Sequence, residues 1–148
     1  MDAIDRLLAI EEIKALKGKY FYFFDHKQWA RWKSEVFAPD ARFFVPELRE
    51  EPFEGLDDII AWTIASAADQ ISVHHGHTPI IEITSASTAT GIWAMEDRLY
   101  RTREHPLHDG SSYLHGFGHY HETYVRLAAG WRIQSTRLTR LRVERVHF

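Results

Sequence analysis

Ten histidines in a chain without cysteine point to imidazole chemistry. His74, His75 and His77 stand together in Val73-His74-His75-Gly76-His77, and His115, His119 and His121 share one parity further on. A neutral imidazole near pH 7 is the best-tuned general base among side chains. An aspartate hydrogen-bonded to one ring nitrogen fixes the tautomer and stabilises the imidazolium that forms, so such a pair needs neither a metal nor an organic cofactor. Asp25 is a candidate acid because it directly follows Tyr20-Phe21-Tyr22-Phe23-Phe24. It lies either against low-dielectric aromatic walls or, if the chain turns outward, in water as an ordinary helix-end acid. Adjacent strand residues face opposite ways, so His74 and His75 cannot both face one cavity. His119 and His121, with His75 and His77, have ligand types that suit a metal. No acid completes that set, so no metal is expected, and a histidine stripe facing solvent or another subunit is the simpler reading.

These residues must be positioned by the elements around them. Ile4, Leu7, Leu8, Ile13, Leu16 and Tyr20 recur at helical spacing, with Asp2 as N-cap, predicting a first helix that ends near Asp25. Trp29, Trp32 and Val36 share a face of a second, short helix that Pro39 stops, and a strand over 42–45 follows. Asp57 or Asp58 caps a third helix carrying Ile59, Ile60, Trp62 and Ile64. The pattern then turns to strands over 71–83, 88–101, 113–127 and 131–143, with a hairpin loop over 105–112 around Pro106 and Asp109-Gly110. Helices first and an antiparallel meander second is an α+β order. Helices packed on one face of a curved sheet enclose a concave pocket.

The composition removes several function classes. At 148 residues without repeats or linkers, one domain over 1–148 is expected. The formal net charge of −3 gives no basic field for nucleic acid. No apolar stretch is long enough to span a bilayer, and Met1-Asp2-Ala3-Ile4-Asp5 lacks the start of a signal peptide. The absence of cysteine excludes disulfides and a thiolate nucleophile and suits a reducing, cytoplasmic setting. There is no phosphate loop, nucleophile elbow or dinucleotide fingerprint. Aromatic residues reach 14%, which serves an ordinary core and also a pocket for a ring-shaped ligand.

Five pieces in order carry a resemblance. They are Ile10-Glu11-Glu12-Ile13-Lys14, the run from Asp25 to Arg31, and Phe37-Ala38-Pro39-Asp40-Ala41, then His74 ahead of Glu82, and Tyr120-His121-Glu122 leading to Gly130-Trp131-Arg132-Ile133. Over nearly its whole length the chain resembles the SnoaL-like group of the NTF2-like superfamily, and within it the scytalone dehydratase branch. The resemblance implies a cone of one curved, mostly antiparallel sheet with three helices. It assigns the active-site pair to His74 and Asp25, and turns Gly118 and Tyr120 to the pocket with His115, His119 and His121 outward. The two tyrosines that hold a water in scytalone dehydratases fall on Phe24 and near Val45 here, and that family's second histidine falls near Leu99. Tyr20, Tyr22 and Tyr120 are possible substitutes.

The expectation is therefore a cofactor-free lyase (dehydratase-like) or isomerase acting on a small, mostly apolar cyclic molecule. His74 would be the base, Asp25 its orienter, and Tyr20 or Tyr120 a donor to oxygen. Tyr22, Phe24, Trp62 and Trp93 would line the pocket, and Arg137 could bind an anionic group. The alternatives are a non-catalytic small-molecule-binding protein of the same fold and an accessory subunit. One sheet face is left uncovered by helices, so a homo-oligomer, dimer or trimer, is expected.

Overall fold

The computed structural model describes residues 1–46 and 48–148. Helix α1 (Ala3–Asp25) starts at Asp2, whose carboxylate accepts the Asp5 amide at 2.8 Å. Ile13, Leu16, Lys17, Tyr20 and Phe23 recur at helical spacing and form its buried stripe. The first turns behave differently from the sequence expectation, since Ile4, Leu7 and Leu8 are 67%, 63% and 57% exposed. After Asp25 the chain turns through Lys27, whose φ of 58° ends the helix, with amide bonds from Lys27 to the Phe24 carbonyl and from Gln28 to the Phe23 carbonyl.

A single helical turn, α2 (Trp29–Arg31), continues into a wider π-turn over Trp32–Val36 that buries Trp32 and Val36. Strand β1 (Phe37–Phe44) begins well before residue 42 and contains Pro39. The proline is tolerated because the pairing of β1 with the last strand shifts register between Phe37 and Arg42. Pro39 falls in that interruption, where no ladder donor is required. The two-residue strand β2 (Phe53–Glu54) is too short to give a sequence period. Helix α3 (Leu56–Ala67) starts one residue before Asp57, with Gly55 at its N-cap, so Asp57 and Asp58 sit in its first turn and neither caps it. There they complement the helix dipole.

Four long strands complete the chain: β3 (Ile71–Ile83), β4 (Thr88–Tyr100), β5 (Ser111–Leu127) and β6 (Gly130–His147). The last runs beyond residue 143 because His147 still pairs with Ser111. The six-stranded order is β2-β1-β6-β5-β4-β3, with only β1 and β6 parallel. The result is the expected α+β cone, with three helices against one curved, unclosed, mostly antiparallel sheet. Register shifts between His77 and Ile80, Phe117 and Gly118, and Thr123 and Tyr124 supply bends. Ser72 on β3, Trp93, Met95 and Asp97 on β4, and Leu114, Tyr120, Glu122 and Tyr124 on β5 face inward by strand alternation and are buried. Among the described residues no helix is long and apolar enough to cross a membrane.

Candidate active site

Strand β3 is the last in the sheet, so one edge of its backbone has no neighbouring strand. The end of α1 supplies what is missing. The Asp25 carboxylate accepts the His74 backbone N–H at 2.9 Å through Oδ2 and lies 2.6 Å from His74 Nδ1 through Oδ1. A carboxylate can only accept, so Nδ1 carries the proton and donates, which leaves the Nε2 lone pair as the ring's basic site. Two bonds from one carboxylate thus fix both the backbone and the ring of His74. The Ser72 hydroxyl donates to Asp25 at 2.8 Å, and Lys27 Nζ donates to Ser72 at 3.2 Å. Burial pushes the Asp25 carboxyl up. The hydrogen bonds and charge of His74, with the Ser72 bond, outweigh it and hold the carboxyl below its ordinary range.

His74 lines a cavity of about 830 Å³. Its ring meets Phe24 edge-on, with centroids 4.7 Å apart, and lies parallel to Phe21 at 6.2 Å. Tyr20, Phe24, Trp62 and Tyr120, all expected from the sequence, line the same cavity. Tyr20 and Tyr120 meet edge to face at 5.8 Å. Burial raises the pKa of each hydroxyl, so both stay protonated and able to donate.

Three other expected ligand residues lie elsewhere. Tyr22 is exposed and stacks on His26 at 4.1 Å, because the helical step from Tyr20 turns it away from the sheet. Trp93 faces inward but packs beneath the cavity, where its indole N–H donates to the Tyr124 hydroxyl at 2.9 Å. Arg137 is on the exposed side of β6, with its guanidinium 5.0 Å from the Phe44 ring.

Two buried ion pairs were not anticipated. Asp97, the cross-strand partner of His74, receives a two-pronged bond from Arg140 at 2.5 and 2.9 Å, and both line the cavity. Asp97 shares the parity of Trp93, which the sequence placed on the pocket, but Arg140 and the pairing need the register of three strands. Gly116 is on the strand between them, and a Cβ there would overlap Arg140 Nη1 and Asp97 Oδ1, so the ion pair would have to shift to admit a side chain. Gly116→Ala is therefore expected to destabilise the protein by about 1–3 kcal/mol, the usual overpacking penalty. An unchanged urea midpoint would contradict this. Beneath the cavity, Lys17 Nζ donates to Glu122 at 2.5 Å and lies 3.6 Å from the centroid of the Tyr120 ring and 4.0 Å from that of Tyr20. Tyr124 at 2.5 Å and Thr136 at 3.0 Å also donate to Glu122. Burial pushes the Lys17 pKa down, and Glu122 opposes it.

A model of the SnoaL-like domain family matches residues 5–137. Solved structures share the fold. A Novosphingobium aromaticivorans protein described as a candidate scytalone dehydratase superposes with a TM-score of 0.84 at 17% identity, covering 99% of this chain and 93% of that one. A hexachlorocyclohexane dehydrochlorinase of Novosphingobium barchaimii gives a TM-score of 0.80 at 18% identity, covering 99% and 98%. An NTF2-like superfamily protein of Salmonella enterica gives 0.75 at 15% identity, covering 91% and 92%.

Proposed function

The chain belongs to the SnoaL-like family, and from that premise we propose that it is a cofactor-free lyase or isomerase acting on a small, mostly apolar cyclic molecule. The observation that carries the proposal is the 2.6 Å contact between Asp25 and His74 Nδ1 on the wall of a large aromatic cavity. His74 Nε2 takes a proton from carbon next to a carbonyl or leaving group. The electron pair left on that carbon forms the new double bond. In an elimination the leaving group departs. In an isomerisation the imidazolium returns the proton to a different carbon. Asp25 stabilises the imidazolium between these steps. Tyr20 or Tyr120 donates to the substrate oxygen as it gains charge. The dehydrochlorinase and the candidate scytalone dehydratase among the structural neighbours support an elimination.

The reading is tested by incubating the purified protein with cyclic hydroxyketones, halocyclohexanes and unsaturated cyclic ketones and following products by mass spectrometry. Elimination or double-bond migration without added cofactor is expected, at a rate that a chelator leaves unchanged. Activity that vanishes with the chelator and returns with zinc would show a metal enzyme instead.

We also propose that a second copy covers the outer sheet face. His115, Phe117 and His119 lie there only partly exposed, and the rings of His115 and Phe117 stand 4.3 Å apart. Sedimentation at micromolar concentration should show a dimer or trimer, and a monomer would contradict the proposal.

A further inference from the structure

We propose that Arg101 binds a carboxylate of the cavity's ligand, which makes the substrate class a ring that carries a short acidic side chain. The inference rests on the cavity being the ligand site and adds the ligand's charge. Arg101 follows the last residue of β4, and its amide still bonds the Ser112 carbonyl at 2.8 Å. It therefore keeps the inward parity of Asp97 and Leu99 and lines the cavity. Its Nη2 donates to the Ser66 carbonyl near the end of α3, while its Nε is buried with no hydrogen-bond partner among the described residues.

Two other arginines on the cavity wall have acidic partners: Arg140 bonds Asp97, and Arg145 bonds Asp109 at 3.0 Å. Among the described residues no carboxylate comes within ion-pair reach of Arg101. Asp69 acts on it only at longer range, and Lys27 is near enough for the two cations to repel. A partly desolvated guanidinium with no carboxylate within ion-pair reach is unfavourable until an anion reaches the part of it that still faces the cavity. A carboxylate answers that charge better than a neutral oxygen does.

The position also fits a two-ended ligand. Asp97 pairs with His74 across β3 and β4. Arg101 is four residues further along, so its Cα lies roughly 14 Å from that level at ~3.4 Å per residue. The ring would rest on Phe24, Trp62 and Tyr120 beside His74, and the acid would reach Arg101.

The test compares 4-phenylbutyrate with 4-phenylbutyramide by calorimetry on the full chain. The acid should bind about tenfold more tightly than the amide, equivalent to about 1.4 kcal/mol. Arg101→Lys should keep most of that preference. Arg101→Gln, which removes the charge, should abolish it. A measurement on the unaltered protein stands beside the variants: the 13C-carboxyl resonance of bound 4-phenylbutyrate should titrate at lower pH than that of the free acid. Equal affinity of acid and amide, no binding of the acid, a preference that survives Arg101→Gln, or an unlowered carboxyl titration would each overturn the inference. His74→Ala should retain the preference. Loss of the preference with His74-dependent turnover intact would therefore sink only the carboxylate site. Undiminished turnover in His74→Ala with the preference intact would sink only the catalytic reading.

Discussion

His74→Ala is expected to lower turnover by ~10²–10⁴-fold, the usual contribution of a positioned general base, with the fold intact. The side chain is at the cavity wall, where its ring bonds Asp25 and packs against Phe24 and Phe21, so truncation removes the base without opening the deep core. Asp25→Asn should reduce kcat with little change in KM, because an amide can donate to Nδ1 and so favour the wrong tautomer. Asp25 stays ionised to lower pH than an ordinary carboxyl, because its carboxyl is held below its ordinary range. Its stabilising contribution has the sign of a depressed carboxyl: fully present above the unfolded-state value and lost as pH falls through the folded one, so stability should decline below roughly pH 4. Steady-state rates across pH for the two variants, beside thermal melts, check all of this.

Glu122→Leu is expected to destabilise the protein by about 3–5 kcal/mol, because removing one partner of a buried pair leaves an uncompensated charge. Both side chains are fully buried, and Glu122 is also the acceptor for Tyr124 and Thr136. Lys17 would keep the ring faces of Tyr20, Phe21 and Tyr120. The double variant Lys17→Met with Glu122→Leu should recover the part of the loss that comes from the unpaired ammonium, while the Tyr124 and Thr136 hydroxyls still lack their acceptor. Urea unfolding of the single and double variants reads the difference directly. A single variant within about 1 kcal/mol of the parent would mean that the pair is hydrated or already neutral.

The parts of this fold legible in sequence were those set by local periodicity. The later part of the α1 stripe and the long strands needed only the spacing of apolar residues, whereas the inward facing of His74 and Tyr120 came from the resemblance. The dyad was not legible that way. Asp25 and His74 are 49 residues apart, and only the docking of a helix end on an edge strand joins them. The resemblance supplied that step. The failures have physical causes. Pro39 was read as a stop, but a register shift accommodates it within β1. Tyr22 was grouped with its aromatic neighbours, although one helical step reverses its direction. Trp93 has the right parity and the wrong depth, with its N–H engaged by Tyr124. Arg137 was chosen for the anionic end without the β5–β6 register, which places Arg140 on the cavity and Arg137 outside.

Proton abstraction by His74 can be seen without waiting for net product. The wild-type protein and His74→Ala are each incubated in D2O with a substrate confirmed by the product screen, and deuterium at the carbon beside the carbonyl or leaving group is followed by NMR. The account predicts rapid incorporation with the wild type and a rate lower by ~10²–10⁴-fold in the variant. Equal incorporation by the two proteins would contradict it and leave a cavity that binds its ligand without acting as a base.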